Sequence, residues 1–159
     1  MLTNEQKKLI KDYSSHFENT YQFPPLTSKI YAYLLVTYNQ EGVTFDELVE
    51  IFNASKSSIS TSLNFLTQIK YVEYHTKINN RKRFYRVSNT STLKRLEKIH
   101  SVLSEEKHLT EELKYYLEKN STTKDDLNLI KSDIYINHLE NAILQLAKTI
   151  KKLTTLENT

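Results

Sequence analysis

The chain has 159 residues, with one Gly, two Pro and no Cys. This composition excludes disulfides and thiolate metal sites, and the scarcity of chain-breaking residues favours long helices over a sheet-rich fold. No apolar run approaches the length of a membrane span, and the N-terminus lacks the apolar core of a signal peptide. We therefore expect a cytoplasmic protein with no membrane partner.

The formal net charge of +3 is distributed unevenly along the chain. Residues 1–25 and 91–159 are each neutral, residues 26–52 carry −3, and residues 53–90 carry +6. A local patch is more informative than a high pI, because binding to phosphate requires cations close together. The sequence therefore predicts a surface for a polyanion within residues 53–90.

Helical periodicity dominates the first part of the chain. Apolar residues at helical spacing predict an amphipathic helix over residues 4–18. Pro24 and Pro25 cannot continue that helix and predict an extended link. A second helix is predicted over residues 26–38, and Gly42 marks the break after it.

A helix-turn-helix pattern follows. Thr44 and Glu47 form a capping box before a short apolar helix of about two turns, and the sequence NASK supplies the turn. The next helix, over residues 56–69, has a narrow apolar stripe and a slender polar face. A solvated surface is the ordinary explanation of such a face, but its position before a basic hairpin favours DNA contact. The predicted DNA-contacting residues here are Ser55, Lys56, Ser57, Ser58, Ser60, Thr61 and Asn64.

A β-hairpin is predicted after this helix, because the apolar period changes to two. If Asn79-Asn80 is a two-residue turn, three favourable cross-strand pairs result: Val72–Val87, Tyr74–Tyr85 and Glu73–Arg86. Cations gather at the tip, where they either protect an exposed strand edge or contact DNA. We predict DNA contact for Lys77, Asn79, Asn80, Arg81, Lys82 and Arg83.

The helical period returns beyond Ser91, with one long helix to about Lys119 and a last helix over residues 125–156. The last helix is apolar on more than one side, so we expect it to pack against the preceding helix and against a second subunit. The predicted fold is mainly α: a winged helix-turn-helix with a two-stranded β wing, flanked by N- and C-terminal dimerisation helices. The predicted segments are an N-terminal helix and linker, a DNA-binding domain and a C-terminal dimerisation region, over residues 1–25, 26–90 and 91–159.

The central part of the chain resembles the winged-helix part of the MarR superfamily, and most closely its GbsR-like branch. Three features carry the resemblance: Pro25-Leu26, the sequence ELVEIFNASKSSIS, and the wing sequence RKRFY that begins at Arg81. The chain departs from the family pattern at Lys70, where glycine is usual, and at Asn80, where aspartate is common. The resemblance implies a homodimeric transcriptional regulator of a near-palindromic operator, with an effector pocket near the junction of the DNA-binding and dimerisation regions.

The sequence offers candidates for two kinds of ligand site, an aromatic effector pocket and a metal site, and each group of residues also has a simpler explanation. Some of the eleven tyrosines lie on elements that could meet at that junction and form an aromatic effector pocket, although core packing explains most tyrosines. The candidates are Tyr31, Tyr33, Tyr38, Tyr115 and Tyr116. Glu105, His108 and Glu112 share one helical face, but such residues on a charged helix are far more often solvated than metal-bound. We predict neither a metal nor another cofactor.

The sequence therefore predicts a homodimeric DNA-binding regulator, most simply a repressor that a small-molecule effector relieves or modulates. Double-stranded DNA is the expected partner. The alternative is a winged-helix and coiled-coil adaptor that binds proteins and lacks specific affinity for DNA. An enzyme is not expected, since the chain has no Gly-rich phosphate loop, no Cys and no ordered Ser, His and acid around a nucleophile turn.

Overall fold

The computed structural model describes residues 2–78, 81–120 and 127–157. These residues form helices and a small sheet in two compact units, which divide the chain between Ser91 and Thr92. In chain order the elements are α1 (Asn4–Tyr21), α2 (Pro25–Thr37), β1 (Val43–Thr44), α3 (Phe45–Phe52), α4 (Lys56–Gln68), β2 (Val72–Thr76), β3 (Arg83–Val87), α5 (Ser91–Asn120) and α6 (Leu127–Glu157). Within the described ranges, none of the helices combines the length and the apolar content that a membrane-spanning segment requires.

The first two helices lie close to where the sequence predicts them. The Thr3 hydroxyl accepts from the backbone N–H of Gln6 and caps α1, which runs three residues beyond its predicted end. Pro25 is the first residue of α2, where its missing N–H costs no hydrogen bond. Phe17 of α1 is fully buried, and its ring lies 4.8 Å from that of Tyr31 on α2. α1 therefore shares the core of the first unit, and its predicted role in dimerisation stays a prediction.

The hairpin has the predicted register and one additional strand. Val72, Glu73 and Tyr74 of β2 pair with Val87, Arg86 and Tyr85 of β3, as the sequence predicts. The turn residues 79 and 80 lie outside the described part of the chain. The predicted two-stranded wing is present, and β1 pairs with β3 on its other side, so that the sheet has three strands in the order β1-β3-β2.

Gly42 explains why a strand of only two residues can join this sheet. Its φ is +79°, and a Cβ at this position would lie 3.0 Å from the backbone carbon of Phe84. Glycine meets both demands, since it adopts positive φ readily and has no side chain to clash with β3. The break predicted at Gly42 is thus also the point where β1 approaches β3.

The helix-turn-helix matches its prediction closely. The capping box of Thr44 and Glu47 is present at the start of α3, and Ser55 caps α4 through the N–H of Ser58. A buried hydrogen bond of 3.1 Å from the Thr27 hydroxyl to that of Ser62 joins α2 to α4. α4 is therefore held against α2 by a directional bond as well as by apolar packing.

Lys70 occupies the turn between α4 and β2. Its φ of +63° lies in the left-handed region. Tyr71 then donates its N–H to the carbonyl of Leu66, which satisfies a carbonyl at the end of α4. The position therefore needs the conformation that glycine adopts freely, and the lysine adopts it at a cost.

The second unit is a pair of antiparallel helices. Lys114 of α5 and Asp133 of α6 form an ion pair of 2.6 Å, and the Tyr135 hydroxyl donates to the Glu106 carboxylate at 2.8 Å. α5 is continuous over Ser91–Asn120, and α6 begins at Leu127, close to the predicted boundaries. Residues 121–126, which include the predicted start of the last helix at residue 125, lie outside the described residues.

Candidate nucleic-acid interface

The polar face of α4 is exposed along its whole length. Ile59, Leu63 and Leu66 are buried on the opposite side, as the narrow apolar stripe predicts. The side chains left on the surface are those of Ser55, Lys56, Ser57, Ser58, Ser60, Thr61 and Asn64. Apart from Lys56 these are short and uncharged, so the face can enter a groove without a bulky side chain in the way.

The start of α4 carries a cluster of hydroxyl groups. The Ser55 Oγ lies 2.8 Å from that of Ser58 and 3.0 Å from that of Ser57, and it accepts from the Ser58 N–H. These contacts fix the Ser55 rotamer at the end of the helix where the partial charge of the backbone is positive. The arrangement suits a phosphate oxygen placed beside Lys56 and Ser57.

The cations of the wing are also exposed. Lys77, Arg81, Lys82 and Arg83 all lie on the surface. The guanidinium of Arg83 lies 4.4 Å from the ring centre of Tyr74, and the Lys77 ammonium lies 4.6 Å from that of Phe84. Aromatic rings therefore support two of the cations and limit their freedom. Asn79 and Asn80 lie outside the described residues, and their predicted contacts stay predictions.

Two of these cations are paired with carboxylates that the sequence analysis did not assign to the site. The Lys82 ammonium lies 3.1 Å from Asp46 at the start of α3, and Lys77 forms an ion pair with Glu41 in the loop before β1. Both acids belong to the segment of charge −3 that precedes the basic segment. The fold thus brings the two segments together and reduces the effective charge of the wing. The abrupt change of sign along the chain was the signal that could have indicated this pairing.

A third ion pair secures the base of the wing. Arg86 Nε donates to the Glu73 carboxylate at 2.8 Å, and Arg86 Nη1 donates to the carbonyl oxygen of Gln40 at 3.1 Å. The predicted cross-strand pair is therefore real and is tied to the loop before β1. Among the described residues, Arg81 and Arg83 have no carboxylate within ion-pair distance, so they carry the uncompensated charge near the tip.

Two carboxyl groups beside the wing have altered acidity. The hydrogen bond and charge of Lys77 lower the pKa of Glu41. Hydrogen bonds from the hydroxyl and the backbone N–H of Thr44 lower the pKa of Glu47. Both carboxyl groups therefore stay ionised at neutral pH, and Glu41 holds Lys77 in place while Glu47 caps α3.

The five candidate effector tyrosines have different environments. Tyr31 is fully buried in the core of the first unit, and Tyr33 is half-buried against Phe52, where burial raises its pKa. Tyr38 is exposed at the rim of a cavity of about 210 Å³ that Leu34 and Arg86 also line. Tyr115 and Tyr116 are exposed on α5 in the second unit. An effector pocket that includes all five stays a prediction.

No group of three or more His, Cys, Asp or Glu side chains in the described ranges is arranged to hold a metal ion. Of the three residues weighed as ligands, His108 and Glu112 form an exposed contact of 3.7 Å along α5. Such a contact is an ordinary pair between successive turns of a helix.

Comparison with solved structures supports the fold. The chain is similar to a crystal structure described as that of a transcriptional regulator, with a TM-score of 0.61 over 95% of this chain and 99% of the other. The two sequences are 15% identical, so the similarity concerns the fold alone. No family model matches the sequence, and no curated protein matches it.

Proposed function

We propose that this protein is a sequence-specific DNA-binding transcriptional regulator. The proposal depends on one observation: the same winged-helix unit exposes both the slender polar face of α4 and the cations of the wing. In winged-helix proteins the second helix of the helix-turn-helix enters the major groove. Ser60, Thr61 and Asn64 would then reach base edges, while Lys56, Arg81 and Arg83 would contact phosphates. The fold that the chain shares with a solved transcriptional regulator supports this proposal.

We further propose that the protein is a homodimer of the GbsR-like branch of the MarR superfamily, and that it represses transcription from a near-palindromic operator. Two recognition helices in a dimer read two half-sites about one DNA turn apart, and a bound effector would change their spacing. The resemblance of the wing and helix-turn-helix sequences to this branch supports the assignment. The cavity beside Tyr38 supports an effector, since it could hold a ligand slightly larger than benzene.

Dimerisation is supported by a stripe of exposed apolar side chains along α5. They recur at intervals of three, four and seven residues, which keeps them on one side of the helix, and they are Ile99, Val102, Leu109, Leu113 and Tyr116. An exposed apolar stripe of this length on one helix is typical of an interface. Leu109→Lys combined with Leu113→Lys should convert the dimer into a monomer in analytical ultracentrifugation. A wild-type monomer at micromolar concentration would contradict this part of the proposal.

DNA binding is tested by gel shift on the promoter region of the protein's own gene, with Arg81→Ala, Lys82→Ala and Arg83→Ala combined. If the wing contacts phosphates, the variant should lose at least tenfold in affinity, and its affinity should depend less on salt. A second variant, Asn64→Ala, should weaken operator binding more than binding to unrelated duplex. Wild-type protein that fails to shift any duplex in dilute buffer would overturn the proposal and favour the adaptor alternative.

A further inference from the structure

The helical hairpin of the second unit is neutral in total, but its charge is segregated along its length. Over residues 92–101 and 146–157 it has six Lys or Arg and two Glu, a charge of +4. Over residues 102–120 and 127–145 it has four Lys and seven Asp or Glu, a charge of −3. The helical hairpin is therefore cationic at one end and acidic over the rest of its length.

The antiparallel register of α5 and α6 brings the two basic segments to the same end of the hairpin. Lys114 pairs with Asp133, and Lys107 interacts with the charge of Glu140 one heptad further along. Continuing this register at one helical rise per residue places Arg95 opposite Lys152. The first turns of α5 and the last turns of α6 therefore lie at the same end of the hairpin, and we call this end the hairpin base.

On the α6 side of the hairpin base the lysines are uncompensated, whereas Lys94 on the α5 side pairs with Glu97 at 2.7 Å. Further along the hairpin, two lysines are neutralised. Lys107 pairs with Glu111 at 2.9 Å, and Lys114 pairs with both Asp133 and Glu118. In contrast, Lys148, Lys151 and Lys152 are exposed, and no carboxylate of the described residues lies within ion-pair distance of them. Uncompensated cations are the ones available to an anionic partner.

Lys148, Lys151 and Lys152 share one face of α6, together with Gln145 and Thr155. These residues line a surface depression of about 410 Å³. The face points away from the apolar positions Leu146, Ile150 and Leu153, which are half-buried. The cations are thus directed outward as a group.

The helix dipole does not explain these lysines. The favourable effect of a cation is confined to the last turn of a helix. α6 ends at Glu157, so Lys148 lies more than two turns before the end and Lys151 and Lys152 more than one turn. A surface of three unpaired cations is better explained by an anionic partner.

We propose that the hairpin base is a second binding surface for the phosphate backbone of duplex DNA, in addition to the winged helix. Lysine suits this role because its ammonium is a compact charge that contacts phosphate without reading sequence. Residues 88–90 alone connect the last wing strand to α5, so the base is the end of the hairpin that the chain joins to the DNA-binding unit. This inference rests on the proposed function, because it extends the same DNA contact.

A membrane surface fits the observations less well. An amphipathic helix that lies on a membrane needs an apolar face free to enter the lipid beside its cations. The apolar positions of α6 on the side opposite these lysines are half-buried within the second unit, Leu146 and Ile150 among them. Duplex DNA instead offers a dense row of charges, about one per 1.7 Å of helix axis, to a face whose charged side chains are all lysines.

The test replaces Lys148, Lys151 and Lys152 with Gln, which keeps helix propensity while removing three charges. The matched control replaces Lys7, Lys8 and Lys11, three exposed lysines of α1, with Gln. Binding to a labelled duplex is measured by fluorescence anisotropy over a series of salt concentrations, with one duplex that ends at the operator and one extended by about ten base pairs at each end.

Each phosphate contact that is lost should lower the slope of log K against log salt by about 0.9. We expect the α6 variant to lose two to three contacts per protomer, about 2–3 in slope for each protomer bound, and roughly tenfold or more in affinity near 0.1 M salt. The loss should be larger on the extended duplex, and the α1 control should bind like wild type. Circular dichroism should show equal helix content in all three proteins.

Equal slopes for the α6 variant and the α1 control would overturn the inference. So would binding of wild type, but not of the α6 variant, to vesicles of phosphatidylserine together with unchanged DNA affinity. The proposed function would survive either result if the wing variant still lost affinity. If wild type bound no duplex at all, the proposed function itself would fail.

Discussion

The Lys82 ammonium of the wing lies 3.1 Å from the carboxylate of Asp46, the second residue of α3. The two residues are 36 positions apart in sequence, and both side chains are more than half exposed. A DNA phosphate that binds Lys82 must therefore compete with Asp46. The same relationship holds between Lys77 and Glu41. The wing thus has two cations engaged within the protein and two, Arg81 and Arg83, without a carboxylate among the described residues.

Asp46→Asn should strengthen DNA binding, because it releases Lys82 and removes a negative charge beside the wing. An exposed ion pair contributes about 0.2–1 kcal/mol, so the expected gain is about 1.4-fold to fivefold at low salt. Anisotropy with the operator duplex measures it. Glu50→Gln is the matched control, since Glu50 is exposed on the same helix and no cation of the described residues pairs with it. An equal gain in both variants would show that the ion pair itself does not matter.

Thr44→Ala should destabilise the first unit by about 1 kcal/mol, since it removes the hydroxyl that caps α3. That hydroxyl accepts from the N–H of Glu47 at 3.3 Å and donates to its carboxylate at 2.6 Å. Urea denaturation followed by circular dichroism measures the loss. Thr61→Ala, on the exposed face of α4, should change stability by less than about 0.5 kcal/mol. Equal stabilities of the two variants would contradict the capping role.

The same cap predicts a pH dependence. The pKa of Glu47 is lowered by its hydrogen bonds from Thr44, so this carboxyl holds its proton less tightly in the folded than in the unfolded protein. Its contribution to stability is therefore complete above the ordinary carboxyl range near pH 4.3 and is lost as pH falls through its lower folded pKa. An NMR titration of the side-chain carboxyl should show a higher pKa in Thr44→Ala. An unchanged value would mean that the backbone N–H alone lowers it.

Lys70→Gly should stabilise the protein. The left-handed conformation destabilises the folded state of a residue with a Cβ by about 1–2 kcal/mol. Glycine avoids this strain, but its greater conformational entropy stabilises the unfolded state by about 0.4–1 kcal/mol. We expect a gain of roughly 0.5–1 kcal/mol in urea denaturation, given the φ of +63° at this position. Lys70→Ala keeps the Cβ and should give no comparable gain. A gain from alanine alone would attribute the effect to the lost charge.

The hydrogen bond between Thr27 and Ser62 should show coupling in a double-mutant cycle. Both residues are buried, with exposed fractions of 2% and 6%. Ser62→Ala removes the acceptor of the buried Thr27 hydroxyl and should lower the free energy of unfolding by about 1–2 kcal/mol. Thr27→Val combined with Ser62→Ala should lower the free energy of unfolding by less than the sum of the two single changes, because neither buried hydroxyl then lacks a hydrogen-bond partner. Strict additivity in urea denaturation would contradict the bond.

The sequence by itself determined the helices, the cap of α3, the polar face of α4 and the register of the hairpin. These depend on short-range physics: apolar spacing along a helix, a hydroxyl three residues before the backbone N–H from which it accepts, and favourable side-chain pairs between two neighbouring strands. The departure at Lys70 was also visible in sequence, although the left-handed φ that makes it costly was not.

Only the tertiary structure decided which charges meet. A count of charge by segment gives residues 53–90 a charge of +6, yet Glu41 and Asp46 lie outside that segment and pair with Lys77 and Lys82. The strand β1 was missed for a related reason, since two residues carry no periodicity and pair only where Gly42 lets them approach β3. Coulomb energy depends on distance in space, and periodicity reports only distance along the chain. Ion pairs and short strands between remote segments therefore follow from the fold.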